Sequence, residues 1–235
     1  MCFNQKYSAT FAVLGAASAA FFLFRQHKGK PIGHNLLIVP LIFYTIMEIL
    51  QTVQYSFVNN CDTTNRILTE FSYLLVVVQP IMWNIIFLLK KRSVPLNGVA
   101  RGILICAIVL CGVWIVGHGL RRLPFYGRQP DRHDEITEGP KTCTYQNEGE
   151  HLYWNYNLFT FPGGDANWFM YVALWFIPGL LIPGERSTIA MLAAGLLGSW
   201  MYVKYKGQTS HIIPSLWCLT SAPTLAMNVL YSWMG

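Results

Sequence analysis

Seven long apolar blocks, parted by short polar turns and one long loop, limit what this sequence can fold into. They run from Tyr7 to Phe24, Leu36 to Phe57, Arg66 to Leu89, Gly98 to Leu120, Trp168 to Pro183, Ser187 to Tyr205 and Gln208 to Trp233. Each approaches the ~20 residues that a helix needs to cross about 30 Å of hydrocarbon. Only 12% of residues are charged and 53% are hydrophobic, whereas a soluble domain carries roughly 25% charged residues. The reading is an all-α integral membrane protein: a single polytopic domain over residues 1–235, a bundle of about seven transmembrane helices in a lipid bilayer. The fifth block is short and interrupted by Pro178 and Pro183. It and the sixth can instead form a re-entrant pair, which would leave five or six full spans.

The first block has features of a signal peptide, with Lys6 before it and Ala17, Ser18 and Ala19 within it. Arg25, Lys28 and Lys30 follow it at once, more positive charge after the segment than before, so it reads as a retained span. Lys90, Lys91 and Arg92 follow the third block, with Arg101 just beyond, while the loop after the second holds only Arg66. The positive-inside rule then makes the first and third loops cytoplasmic, the N-terminus outside (lumenal or extracellular) and, with seven spans, the C-terminus cytoplasmic. Lys204 and Lys206 weigh against this orientation. The net charge of +6 is mostly a topology signal, and no nucleic-acid motif accompanies it, so no DNA or RNA partner is expected.

Cys106, Cys111 and Cys218 fall inside blocks and read as small buried hydrophobes. Cys61 and Cys143 fall on the same outer side, and a disulfide between them would staple the long loop over the mouth of the bundle. In layout this is similar to the seven-helix receptors, where a bridge also ties the start of the third helix to the following outer loop. The sequence carries none of their signatures: the third block ends Phe87, Leu88, Leu89, Lys90, Lys91, and the last has neither Asn-Pro-x-x-Tyr nor a lysine for a retinal Schiff base.

That loop, residues 121–167, is too long for a connector and too aromatic for a linker, with Phe125, Tyr126, Tyr145, Tyr153, Trp154, Tyr156, Phe159 and Phe161. Thr142 to Gln146 and His151 to Tyr156 flank the turn-like Asn147, Glu148, Gly149 and Glu150, a β-hairpin pattern suited to a lid. Asp131, His133, Asp134, Glu135 and Glu138 lack metal-ligand spacing and read as a solvated face; no metal or cofactor is expected.

Glu48 stands near the middle of the second block, where an acidic side chain costs about 2.5 to 3.5 kcal/mol. Tyr44, Glu48, Gln51 and Tyr55 recur at helical spacing, widened by Thr45 and Gln54, so one stripe of this helix is polar. The third block offers Tyr73, Gln79, Pro80, Trp83 and Asn84, and antiparallel pairing puts Glu48 and Gln79 at similar depth, which allows contact. The last carries His211, Pro214, Cys218, Ser221, Asn228 and Ser232, while His118 and Glu70 read as facing the aqueous mouth. For Gln54, Asn84 and Asn228, and for the Gly195/Ser199 spacing, interhelical packing is the plainer reading. Glu48, an ionisable group at midplane, is a functional hypothesis by default.

The first expectation for function is a receptor-like or transporter-like protein binding a small ligand or cation in a polar cavity. Glu48, Gln51, Tyr55, Tyr73, Gln79, Tyr44, Asn84 and His211 would line it. One alternative is an intramembrane enzyme acting on a lipid or sterol-like substrate, with Glu48 as acid or base and His118 or His211 assisting. The other is a structural or assembly subunit whose polar stripes meet other membrane-protein chains.

Overall fold

The computed structural model describes residues 4–27, 35–90, 97–120, 141–157, 168–182, 186–218, 220–221 and 225–226. The described chain is mostly helical. It comprises α1 (Gln5–His27), α2 (Ile38–Gln54, between the 3₁₀ turns Asn35–Leu37 and Tyr55–Phe57), α3 (Thr63–Lys90), α4 (Asn97–Leu120), β1 (Cys143–Gln146), β2 (Leu152–Asn155), α5 (Trp168–Leu181) and α6 (Arg186–Lys206). A 3₁₀ turn (Ser210–Ile212) then leads into α7, described at residues 213–218, 220–221 and 225–226.

Local chemistry sets several of these ends. The Asn4 side chain accepts from the Tyr7 amide (3.2 Å), and Asp62 Oδ1 accepts from the Asn65 amide (2.7 Å), so each caps the helix that follows. Gly207, at φ +62°, closes α6, with the Gln208 amide reaching back to the Val203 carbonyl (3.0 Å). Within α3, Pro80 cannot continue the backbone ladder, and the Asn84 amide donates to its carbonyl (2.7 Å).

Among the described residues, four helices are long and apolar enough to cross a membrane: Gln5–Arg25, Ile38–Phe57, Thr63–Leu89 and Gly98–Leu120. These are the first four blocks of the sequence. The fifth is shorter than its block: α5 has 14 residues, about 21 Å, with Pro178 inside it. It begins partway along the bundle, since Tyr171 meets Gln79 and Asn84 donates to the Leu174 carbonyl (2.8 Å), and it runs parallel to α3. α6, with 21 residues, is long enough to cross, but its Ser, Thr, Gly and Lys content keeps it out of the apolar set. Most of the seventh block beyond Ser221, with Asn228 and Ser232, lies outside the described residues.

Neighbouring helices alternate in direction. Gln5 donates to the Thr52 carbonyl (3.1 Å), Gln54 to Ser72 Oγ (2.8 Å) and Tyr73 to the Trp114 carbonyl (3.2 Å), which sets α1 against α2, α2 against α3 and α3 against α4. The hairpin sits at the end of the bundle where α2, α4 and α6 finish and α3 and α7 start. Its strands pair antiparallel, from Cys143 opposite Asn155 to Gln146 opposite Leu152. Asn147 Oδ1 makes the turn by accepting from the amides of Gly149 (3.1 Å) and His151 (2.8 Å), and Glu150 takes the left-handed conformation.

Cys61 and Cys143 are joined, with Cα atoms 5.4 Å apart. The hairpin is a plug rather than a lid lying over the mouth: Thr144, Leu152, Trp154 and Tyr156 are all buried. The Thr144 amide donates to Asn65 Oδ1 (2.8 Å) while Asn65 Nδ2 donates back to the Thr144 carbonyl (2.9 Å), a side chain imitating a strand. Across the bundle, Ser215 Oγ donates to the Leu152 carbonyl (2.6 Å). The acidic patch from Asp131 to Glu138 and the aromatic residues Phe125, Tyr126, Phe159 and Phe161 lie outside the described residues.

Candidate functional site

The predicted polar stripe of α2 is buried along its whole length: Tyr44, Glu48, Gln51, Gln54 and Tyr55 all face the interior. Its members serve different neighbours. Gln54 binds three partners at once, donating to Ser72 Oγ (2.8 Å) and Thr144 Oγ1 (3.1 Å) and accepting from Trp154 Nε1 (3.1 Å). Tyr55 donates to the Glu150 carbonyl of the hairpin turn (3.1 Å). Both are part of the plug.

Glu48 lies where α1 crosses α2. The buried face of α1 is made of small residues, Ser8, Ala12, Gly15 and Ala19, followed by Phe22. This spacing lets the backbones approach closely, and a side chain at Gly15 would run into the Thr45 hydroxyl. The Glu48 carboxyl is fully buried in this seam with the Ser8 hydroxyl against it. Neither carboxyl oxygen is in regular hydrogen-bond geometry with any described residue. Burying such a group without a compensating partner is costly enough that an ionised form needs a cation and a neutral form needs a proton.

The expected depth match with Gln79 is present. Gln54 pairs with Ser72, and Trp83 Nε1 donates to Tyr44 OH (3.4 Å), and these contacts bracket Glu48 and Gln79 at one level. No hydrogen bond joins the two: Gln79 Oε1 instead accepts from Tyr171 OH, because α5 enters beside α3 at this height. Tyr44, Tyr171 and Cys218 lie within electrostatic range of one another as a cluster in the interior, with Cys111 and Tyr156 in range of Tyr171. Burial holds the Tyr156 phenol, on the hairpin, well above its usual range and therefore neutral.

Below that cluster three indoles stack. Trp83 and Trp175 lie 5.5 Å apart at 7°, and Trp175 and Trp217 lie 5.3 Å apart at 15°, joining α3, α5 and α7. Asn84 is a clamp between α3 and α5, as its packing reading implies. Tyr73 stacks on His118 (4.3 Å) and meets Tyr156 edge-on (5.1 Å). His118 is thus buried, a correction to its reading as a group at the aqueous mouth; the aromatic neighbours hold it inside. Glu70 keeps its place near water and pairs with Arg66 (3.2 Å). His151 is buried against Tyr202 OH (3.1 Å), and His211 sits half-buried beside Tyr153 at the hairpin edge.

The eight residues expected to line one cavity therefore divide. Tyr44, bonded to Trp83, and Gln79, bonded to Tyr171, lie in the interior, with Tyr73 toward the plug. Tyr55 and His211 belong to the hairpin dock, Asn84 to a helix clamp, and Glu48 and the adjoining Gln51 to the α2 stripe near α1. Sequence reasoning did not single out Ser8, Tyr171 or Trp175. The small-residue spacing of the first block and the four-residue spacing of Tyr171 and Trp175 were the available signals. Among the described residues no group of three or more His, Cys, Asp or Glu side chains is placed to hold a metal.

The profile of a family of unknown function, DUF5765, matches residues 6–233, and the chain belongs to that family. Uncharacterized protein R287 of Acanthamoeba polyphaga mimivirus is 24% identical over 245 residues, covering 98% of this chain and 95% of its own. No solved structure matches the chain.

Proposed function

We propose that this member of the DUF5765 family is a multi-pass membrane protein that binds a small cation or a proton on Glu48, within the bilayer, and exchanges it with one side of the membrane. Four apolar helices of spanning length support the membrane placement, as do large apolar side chains exposed along them, such as Phe24, Ile49, Ile105, Val109 and Val116. The shorter α5 and the less apolar α6 and α7 complete a seven-helix bundle on this reading. The segments joining α1 to α2 and α3 to α4 carry Arg25, Lys28, Lys30, Lys90, Lys91, Arg92 and Arg101, against Lys6, Arg66, Lys204 and Lys206 in the short segments at the hairpin end. That balance favours the lumenal or extracellular side for the hairpin and the N-terminus, where a disulfide persists.

The single observation that carries the reading is the Glu48 carboxyl: wholly buried, level with the middle of the bundle, and faced by the Ser8 hydroxyl with no charged partner among the described residues. Infrared difference spectroscopy of the protein in lipid tests it. The expected result is a protonated-carboxyl band that titrates, shifts its midpoint when Na⁺ or K⁺ is added, and disappears in Glu48→Gln. A Glu48 band indifferent to both pH and cations would mean a permanently neutral packing group, and the reading would fail.

A further inference from the structure

The bridge between Cys61 and Cys143 joins two unlike sites. Cys143 is wholly buried in β1, whereas Cys61 is half-buried among the exposed Asn59, Asn60 and Asp62. A group arriving from water has access to one of the two sulfurs, that of Cys61. Cys61 also carries backbone strain. Its φ is +44° and that of Asn59 is +70°; asparagine tolerates the left-handed region, but cysteine keeps to it only where its surroundings hold it there. Cys61 is held by the bridge on one side and by the Asp62 cap of α3 on the other.

The hairpin does not depend on the bridge for its place. Thr144, next to Cys143, is held by Asn65 at its amide (2.8 Å) and its carbonyl (2.9 Å), and by Thr69 (2.7 Å) and Gln54 (3.1 Å) at its hydroxyl. Ser215 holds Leu152 on the other strand (2.6 Å). The turn before α3 is tied more lightly. Besides the bridge, the Asn59 amide donates to the Thr144 carbonyl (3.3 Å), Asn59 Oδ1 accepts from the Gln146 amide (3.0 Å), and the Tyr145 hydroxyl lies 3.2 Å from Cys61 Sγ. Cutting the bridge therefore frees the strained turn and leaves the plug.

We propose that Cys61 is a thiol-exchange site, at which a small aliphatic thiol attaches and turns the bridge into a latch that releases residues 59–61 while the hairpin stays docked. The thiolate gives an electron pair to Cys61 Sγ, the bond to Cys143 Sγ breaks, and its pair leaves on Cys143, which takes up the proton the small thiol lost. The Thr144 carbonyl, 3.7 Å from Cys143 Sγ, is an acceptor for the thiol so formed. One disulfide replaces another, with no net oxidation. A second small thiol that attacks the attached sulfur completes the reduction and departs with it as a disulfide, and the reverse steps close the latch.

The test treats the full chain in nanodiscs with β-mercaptoethanol, quenches in acid, blocks with N-ethylmaleimide and maps the peptides by mass spectrometry, with amide hydrogen exchange read on parallel samples. The bridge should be cut in the folded protein, exchange should quicken about tenfold over 59–62, and exchange over 143–155 should stay as it was. The acid-trapped adduct should map to Cys61 and not to Cys143, an assignment that needs no variant to fold. As a second measurement, bis(hydroxyethyl) disulfide should load Cys61 in Cys143→Ser about tenfold faster than it loads Cys143 in Cys61→Ser. A bridge that opens only in denaturant, an adduct or equal loading at Cys143, or lost protection over 143–155 once the bridge is cut would overturn the proposal.

Discussion

Replacing Gln54 with leucine removes three hydrogen bonds at the point where α2, α3 and the hairpin meet. The partners do not suffer equally. Ser72 keeps its bond to the Leu68 carbonyl (3.2 Å), and Thr144 Oγ1 keeps Thr69 (2.7 Å), so each loses one of two partners, roughly 0.5 kcal/mol apiece. Trp154 Nε1 has no described alternative and is left orphaned in a site that is 1% exposed, which costs about 1 to 3 kcal/mol. The total is about 2 to 4 kcal/mol. Trp154→Phe in the Gln54→Leu background removes the orphan itself, so the two substitutions should couple by about 1 to 2 kcal/mol in favour of the double variant. Denaturant unfolding in detergent micelles, with amide hydrogen exchange over 143–155, measures both quantities. A single-variant effect below about 1 kcal/mol, or strict additivity of the pair, would show that the plug is held by packing and the disulfide, not by this hub.

Gly15→Leu should wedge α1 off α2, costing about 1 to 3 kcal/mol by overpacking against Thr45, and should make Glu48 react faster with a membrane-soluble carbodiimide, read by mass spectrometry of the labelled peptide. Cys143→Ser frees two positions 82 residues apart and should lower stability by about 4.5 kcal/mol on the chain-entropy account, seen as an earlier denaturant midpoint. Hydrogen exchange over β1 should then stay slow, because Asn65 and Gln54 still hold Thr144.

What could be read from the sequence was whatever depends on period and local chemistry. Four apolar blocks became four helices of spanning length, and Asn147 with its neighbours made the turn of a two-stranded hairpin. The Cys61–Cys143 bridge follows from both residues falling on one side of the bundle. The stripe of α2 showed which side chains face inward, but period alone cannot say which helix each one meets. Antiparallel pairing sets Gln79 at the depth of Glu48, and the contacts on either side of them agree. The partner was Tyr171, because α5 starts partway along α3, a consequence of tertiary packing that a short Pro-containing block does not encode. His118 looked like a mouth residue by position and is covered by Tyr73.

The hairpin end and the α1 side of the bundle resist opening to different degrees, and on the proposed reading this bears on how a proton or cation would reach Glu48. From the hairpin end, a path must break the Asn65–Thr144 pair, the Gln54 hub and the Ser215 bond, all beneath a covalent link. Each net hydrogen bond contributes about 1 kcal/mol, and unmaking several together leaves buried donors exposed to no partner. On the α1 side the seam is lined by Ser8, Ala12, Gly15 and Ala19, small groups held by van der Waals contact and by the Ser8 hydroxyl against Glu48, with Gln5 to Thr52 a further polar link at the edge. In lipid, separating two such helices exposes no new apolar surface to water, so it lacks the hydrophobic penalty that closes the same seam in a soluble protein. On the proposed reading α1 therefore moves more readily than the plug, and a proton or cation reaches the carboxyl along the α1–α2 seam.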